Sequence, residues 1–206
     1  LPIKGTLALA EAARNGGITE LFVPLQNAAE AALIEGLTVY GIQTLKEVID
    51  HITSTKKKLR LIPPTPKTEI SVIRKQFGTD IQEIRGQEGA KRGLEIAAAG
   101  GHNIAMSGPP GTGKTMLARA FISLLPELTL SEMLEVTRIH SIAGNLESTI
   151  VTHPPLRAPH HTASYVSIIG GGTMPRPGEV TLAHKGVLFL DELKKKKKRV
   201  LESLRQ

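Results

Sequence analysis

The chain has 206 residues, 40% of them apolar, which suits one or two domains with a buried core. It has no cysteine, so disulfide frameworks and thiolate metal sites are excluded, and no run approaches the ~20 consecutive apolar residues of a membrane span. The net charge of +7 is concentrated: five of 26 basic residues form the lysine run 194–198, the other 21 stand against 19 acidic residues, and aromatics at 3% argue against a base-stacking platform.

The opening residues show no leader and read as mid-domain sequence, so a cytoplasmic protein is the expectation. Residues 1–52 predict an αβαβα order. An Ala-rich helix over residues 7–14 closes at Asn15-Gly16-Gly17, and Leu21-Phe22-Val23-Pro24 is a strand ended by proline. A helix over 28–35 ends at Gly36, and a strand covers 37–40. A helix over 44–52 follows, capped by Thr44 with Glu47 three residues on. Leu1-Pro2-Ile3-x-Gly5, the helix, and Gly17-Ile18-Thr19-Glu20-Leu21-Phe22-Val23-Pro24 resemble the C-terminal half of a Lon-protease-like domain. The position matching the catalytic lysine of those peptidases is Leu7, which cannot act as a base, so the resemblance implies no peptidase activity.

Residues 53–67 contain Lys56-Lys57-Lys58 and Ile62-Pro63-Pro64-Thr65-Pro66, a composition that predicts an extended linker and a domain boundary. From residue 68 a second unit is expected. Ile84-Arg85-Gly86-Gln87 reads as a turn before a helix over 89–99, which closes at Gly100-Gly101. Asn103–Ser107 reads as a short buried strand. Then comes Gly108-Pro109-Pro110-Gly111-Thr112-Gly113-Lys114-Thr115, the G-x-x-x-x-G-K-[ST] spacing of a phosphate-binding loop. Glycines let backbone N–H groups converge, Lys114 offers a charge to β- and γ-phosphates, and the Thr115 hydroxyl can ligate Mg²⁺. A helix over 114–125 follows, with Leu117, Phe121, Leu124 and Leu125 on one face.

Thr129-x-x-Glu132 is a capping box for a helix to about residue 140. Gly170-Gly171-Gly172 and Pro175-Arg176-Pro177-Gly178 are turn signals around short strands, residues 179–182 among them. Val187-Leu188-Phe189-Leu190-Asp191-Glu192 reads as a buried parallel strand that delivers two acids to its C-terminal edge beside the phosphate loop. Asp191 would stand in the Mg²⁺ shell and Glu192 would polarise the attacking water. The 77 residues from Lys114 to Asp191 must hold a helix, a strand and additional hairpin material. His160 and His161, with His153, complete no metal set. Arg157 and Arg176 are open between phosphate contact, subunit contact and plain solvation.

The turn Ile84-x-Gly86-Gln87 resembles the segment in which AAA+ ATPases hold adenine, and the long interval suits the branch with magnesium chelatase, MoxR and MCM proteins. The match narrows over Gly86-Gln87-Glu88-x-Ala90-Lys91-Arg92-x-Leu94-Glu95-Ile96-Ala97-Ala98-Ala99, Arg157-Ala158-Pro159-His160-His161-Thr162-Ala163-Ser164, and Gly178-Glu179-Val180-Thr181-Leu182-Ala183-His184. These resemble the YifB/ComM family of magnesium-chelatase-like ATPases, with a Lon-like domain ahead of an AAA+ core. Members studied in natural transformation act as ring-forming DNA branch-migration helicases. The fold class so implied is α/β: a partial Lon-like domain over 1–52, a linker over 53–67, and an AAA+ core over 68–206 with a parallel sheet flanked by helices. Sensor 1, the arginine finger and the lid are expected beyond this core.

The resemblance implies ATP and Mg²⁺ as cofactors, a homo-oligomeric ring, by analogy a hexamer, DNA as a partner, and no membrane. Site residues are Lys114 and Glu192 for catalysis, Gly108 to Thr115 with Ile84, Gly86 and Gln87 for nucleotide, and Thr115 with Asp191 for metal. A chelatase-type ATPase that remodels a protein partner, and a nucleotide-gated scaffold, are the alternatives. Where the family has a Pro-Glu-Phe-type segment, this chain has Lys194-Lys195-Lys196-Lys197-Lys198, which reads as a substituted segment, with a genuine basic loop as the alternative.

Overall fold

The structure is a computed structural model that describes residues 1–53, 62–70, 80–146, 148–160, 162–173 and 175–191. Lys56-Lys57-Lys58, His161, Glu192 and the lysine run 194–198 lie outside the described residues. Among the described residues the architecture is mixed helix and strand, with two parallel strand pairs and one antiparallel pair. By contact the chain divides into two units, Leu1–Ser71 with Thr137–Val151, and Val72–Val136 with Thr152–Gln206.

The first unit follows the αβαβα order: α1 (Thr6–Asn15), β1 (Glu20–Pro24), α2 (Ala28–Ala31), β2 (Thr38–Ile42) and α3 (Leu45–Thr53). β1 and β2 pair in parallel, from Glu20↔Thr38 to Pro24↔Ile42. Phe22 and Tyr40, opposite in that register, stack with ring centroids 5.0 Å apart. Thr44 and Glu47 cap α3, with Glu47 N–H donating to Thr44 Oγ1 and Gln43 N–H donating to Glu47 Oε2. The helix expected over 28–35 is shorter. Leu33 and Ile34 N–H donate three residues back, to Glu30 and Ala31, so the chain tightens out of the α form before Gly36. The proline-rich stretch is tied to this unit: Ile62 is buried, and Thr65 N–H donates to the Val39 carbonyl at 2.7 Å.

A buried polar network holds residues 137–151 in the same unit. Glu30 accepts from Leu7 N–H at 2.9 Å, from the Ser141 hydroxyl and from Asn27 Nδ2, while Gly5 N–H donates to Ser141 Oγ at 3.0 Å. Leu7 is itself core, 1% exposed.

In the second unit the core lies between α4 (Glu88–Gly100) and α5 (Lys114–Ala120), the latter extended by a 3₁₀ turn over Phe121–Leu124. Leu94, Ala97 and Ala98, at i, i+3 and i+4, meet Leu117, Ala120 and Phe121, and Ile84 joins them. Leu124, Leu125, Met106 and Val187 pack around this mass. α6 (Leu130–Ala143) opens on the capping box: Thr129 N–H and hydroxyl both donate to Glu132 Oε2 at 2.9 Å. Its residues to Val136 belong to this unit and those from Thr137 to the first.

β3 (Leu156–Arg157), α7 (Tyr165–Ile169), β4 (Gly170–Gly171), β5 (Arg176–Pro177), α8 (Glu179–Leu182) and β6 (Val187–Leu188) complete the unit. The expected hairpin material is β4 with β5, antiparallel; the strand expected over 187–192 is shorter and only half-buried, with β6 parallel to β3 and Asp191 beyond its end. Two expectations fail. Residues 103–107 enter no ladder and are mostly exposed, Ile104 at 41%. An apolar run makes a strand only where another strand offers its hydrogen bonds, and β6 gives its ladder to β3. Residues 179–182 form a helical turn, not a strand: Gly178 serves as N-cap, Glu179 stands in the first turn where its charge suits the helix dipole, and Leu182 is buried.

Two outcomes follow. Glu30→Ala strands two buried donors, Leu7 N–H and the Ser141 hydroxyl, while Asn27 Nδ2 keeps the Ile3 carbonyl, at about 1–3 kcal/mol for each buried group left unsatisfied. Chemical denaturation should therefore show a loss of several kcal/mol, and a loss no larger than an ordinary surface change contradicts the network's role. The Glu132 carboxyl is held below its ordinary pKa by the Thr129 backbone N–H first, then by the Thr129 hydroxyl and Lys185. A depressed folded pKa gives stability that is full above the ordinary carboxylate pKa and lost as pH falls through the depressed value. Wild type should therefore outlast Glu132→Gln in thermal unfolding at neutral pH, with the gap closing in acid. A gap equally wide in acid contradicts this.

Candidate functional site

The phosphate-type loop sits where α5 begins. Gly111 and Gly113 have φ of +80° and +81°, a left-handed backbone in which side chains are strained, so the two glycines make the curl possible. The loop closes on the lysine: Lys114 Nζ donates to the Gly108 carbonyl at 2.9 Å and the Pro109 carbonyl at 2.7 Å. The Thr112 hydroxyl donates to the Pro109 carbonyl at 2.9 Å. Gly108, Pro109, Pro110 and Gly111 are exposed, as is Thr115 at the second position of α5. The first turn of a helix leaves N–H groups without intrahelical acceptors, so the loop presents an ammonium, a hydroxyl and backbone donors to solvent together. That donor set has the chemistry to hold a polyanion.

Gly86 (φ +69°) and Gln87 (φ +58°) are consecutive left-handed residues that turn the chain into α4. Both are exposed, whereas Ile84 is 3% exposed inside the α4–α5 core. This segment therefore offers a ligand backbone groups and the Gln87 side chain, not the Ile84 side chain. Asp191 is exposed just past β6, and Val187, at the head of that strand, packs on the core that also holds Leu117 of α5. Loop, turn and acid strand thus share one apolar core. Thr115 and Asp191 are hard oxygen donors of the kind Mg²⁺ takes, alongside phosphate oxygens. An open cavity of about 370 Å³, lined by Glu95, Ala98, Ala99, Leu124 and Pro126, shares no residue with the loop.

Arg157 had several open readings from sequence, and the structure gives it a protein partner. Its Nε donates to Glu179 Oε2 at 2.6 Å and its Nη2 to Glu179 Oε1 at 3.0 Å. The segment before β6 is held as well: Lys185 Nζ stands 3.3 Å from Glu132 Oε1. His184 Nε2 stands 2.9 Å from Glu135 Oε1, close but not aligned as a hydrogen bond. Sequence alone signalled these partners only by quoting Arg157, Glu179 and His184 inside motif runs, because 22 residues separate the first two.

Comparison with known proteins gives the family of the chain. The family model described as magnesium chelatase, subunit ChlI, matches residues 80–206. Competence protein ComM of Haemophilus influenzae is 45% identical over 188 residues, which cover 91% of this chain and 37% of that protein. The uncharacterized protein YifB of Escherichia coli is 41% identical over 206 residues, 99% of this chain and 39% of the relative. The uncharacterized protein Rv2897c of Mycobacterium tuberculosis is 40% identical over 210 residues, 99% of this chain and 40% of the relative. The chain thus spans about two fifths of the length of these relatives. On this family match and these identities over most of its length, the chain belongs to the YifB/ComM magnesium-chelatase-like family.

Proposed function

We propose that the chain carries the nucleotide site of a Mg²⁺-dependent AAA+ ATP hydrolase that remodels DNA as a branch-migration motor, working as a homo-oligomeric ring of hexamer type. The observation that carries the ATP reading is the loop curled about Lys114 at the start of α5. A bound triphosphate offers the ammonium oxygens of full charge in place of two neutral carbonyls, so the lysine has reason to transfer to it. Backbone donors of residues 111–115 would hold the phosphates, and the turn at Ile84, Gly86 and Gln87 would hold adenine through its backbone. Thr115 and Asp191 would hold Mg²⁺, which when bound neutralises charge on the phosphate oxygens. Glu192 is the group that accepts a proton from the attacking water. Leu7, buried where Lon-type peptidases have lysine, supports the absence of peptidase chemistry.

DNA as substrate is supported by the resemblance to branch-migration helicases and by a relative named as a competence protein. The ChlI description of the family model favours a second reading, an ATPase that remodels a protein partner. ATPase assays on the full-length protein separate them. Branched DNA raises hydrolysis on the first reading, and only a protein partner does so on the second. Binding of ATP without turnover under either condition leaves the scaffold.

Lys114→Ala should lower turnover by about 10²-fold or more with unfolding unchanged, since its two partner carbonyls are exposed and pass to water. Near-normal turnover removes the loop from the mechanism. Glu192→Gln should keep ATP bound and slow hydrolysis by about 10²-fold or more. Lost affinity with normal residual turnover makes Glu192 a structural acid instead.

A further inference from the structure

Asp191 follows the end of β6 by three residues, and the ladder that holds β6 is short. Among the described residues its ladder to β3 has two registered pairs, Leu156↔Val187 and Arg157↔Leu188. Val187 N–H donates to the Pro155 carbonyl and Phe189 N–H to the Arg157 carbonyl, both at 2.8 Å. The second bond lies two residues before Asp191. Arg157 is therefore the β3 residue whose backbone holds β6 nearest the acids.

The side chain of the same residue is held at two points by Glu179, the first residue of α8. The arginine and glutamate side chains are 31% and 19% exposed, so the pair is partly withdrawn from water and screened less than a surface pair. Partial burial of two charges costs desolvation, and apolar residues of similar volume can anchor a strand equally well. What a planar fork adds is direction: two parallel hydrogen bonds fix both translation and rotation of the guanidinium, and so of the backbone that bears it. α8 is itself a firm anchor, with Leu182 buried at 4% and a Cβ on Gly178 blocked by the Ile168 carbonyl at 2.5 Å. At the other end of β6 a Cβ on Gly186 would meet the Pro155 carbonyl at 2.1 Å, so the strand starts in direct backbone contact with β3.

We propose that Arg157, gripped by Glu179, is a positioning residue for Asp191. The fork fixes β3, the Phe189–Arg157 hydrogen bond passes that placement to the end of β6, and Asp191, two residues on, is placed with it. This rests on the reading of the site given above, in which Asp191 stands in the Mg²⁺ shell.

The test uses full-length protein with a fluorescent ATP analogue, comparing wild type, Arg157→Gln, Glu179→Gln and the double variant. The Mg²⁺ concentration for half-maximal enhancement of nucleotide binding should rise about tenfold in each single variant, the scale of supporting-residue changes at metal sites. The double variant should rise no further, because the two residues act as one unit. Nucleotide affinity without metal should be unchanged, and amide hydrogen exchange at Val187 and Phe189 should accelerate. Wild-type Mg²⁺ dependence in all variants overturns the proposal. So does an equal loss of metal-free affinity, which marks the pair as general support for the fold. Should the glutamine variants not fold, Arg157→Lys keeps the charge, gives up the second point of contact, and is read in the same way. A wild-type protein whose nucleotide binding ignores Mg²⁺ overturns the reading of the site together with this inference; a Mg²⁺ effect in wild type that persists unaltered in the variants overturns this inference alone.

Discussion

The site depends first on the apolar contact between α4 and α5. The loop over residues 108–113 has almost nothing of its own to bury: two prolines, three glycines and one threonine, all outside the core. Its glycines add backbone freedom that works against any single shape. What fixes the loop is its C-terminal attachment, because α5 is seated by Leu117, Ala120 and Phe121 against Leu94, Ala97 and Ala98. Burying a side chain such as Leu94 or Leu117, 1% and 3% exposed, contributes about 1.5–3 kcal/mol. The ordering of the loop is thus supplied by residues that touch no ligand. Ile84 enters the same core from one side and Val187 from another, so the turn before α4 and the strand β6 are referenced to the same apolar mass.

Charge is handled in two ways. Glu30 is buried, and its stability comes from having its oxygens met by a backbone N–H, a hydroxyl and an amide. Glu132 stands near solvent and caps α6, with Lys185 as a partner from the segment that leads into β6. Lys114 differs from both. Its ammonium rests on carbonyls that water can equally serve, an arrangement that leaves it ready to exchange those partners for stronger ones.

Local, reciprocal signals were the ones legible in the sequence. Both capping boxes, Thr44 with Glu47 and Thr129 with Glu132, form because donor and acceptor lie within four residues of each other. The apolar face of α5 follows from 3.6-residue spacing, and the end of α4 from the Gly100-Gly101 pair, Gly101 taking a left-handed φ of +62°. The phosphate-type loop was legible because its chemistry is contiguous. Signals that depend on a distant partner were not. Residues 103–107 have strand-like composition but no neighbouring ladder. Val180 and Thr181 favour strands by propensity, yet Gly178 and the burial of Leu182 settle a helical turn. Nothing in the sequence joined Arg157 to Glu179.

The last of these matters most for chemistry, because a strand delivers a carboxylate only as accurately as the strand itself is held. Each backbone hydrogen bond contributes a net of about 0.5–1.5 kcal/mol. A ladder of two registered pairs brings only a few of them to β6 among the described residues. A mispositioning of about 1 Å at a reacting centre can cost ~10² in rate, so a short ladder needs support from its flanks. The flanks supply it on each side. Glu179 grips Arg157 on β3, and Glu132 and Glu135 of α6 meet Lys185 and His184 immediately before β6. Ion pairs near solvent contribute little to overall stability, but direction and register can be fixed by weak contacts when several act on one short segment. On this view the charged residues around β6 are placed to restrict where Asp191 can be, and the apolar core bears most of the cost of folding.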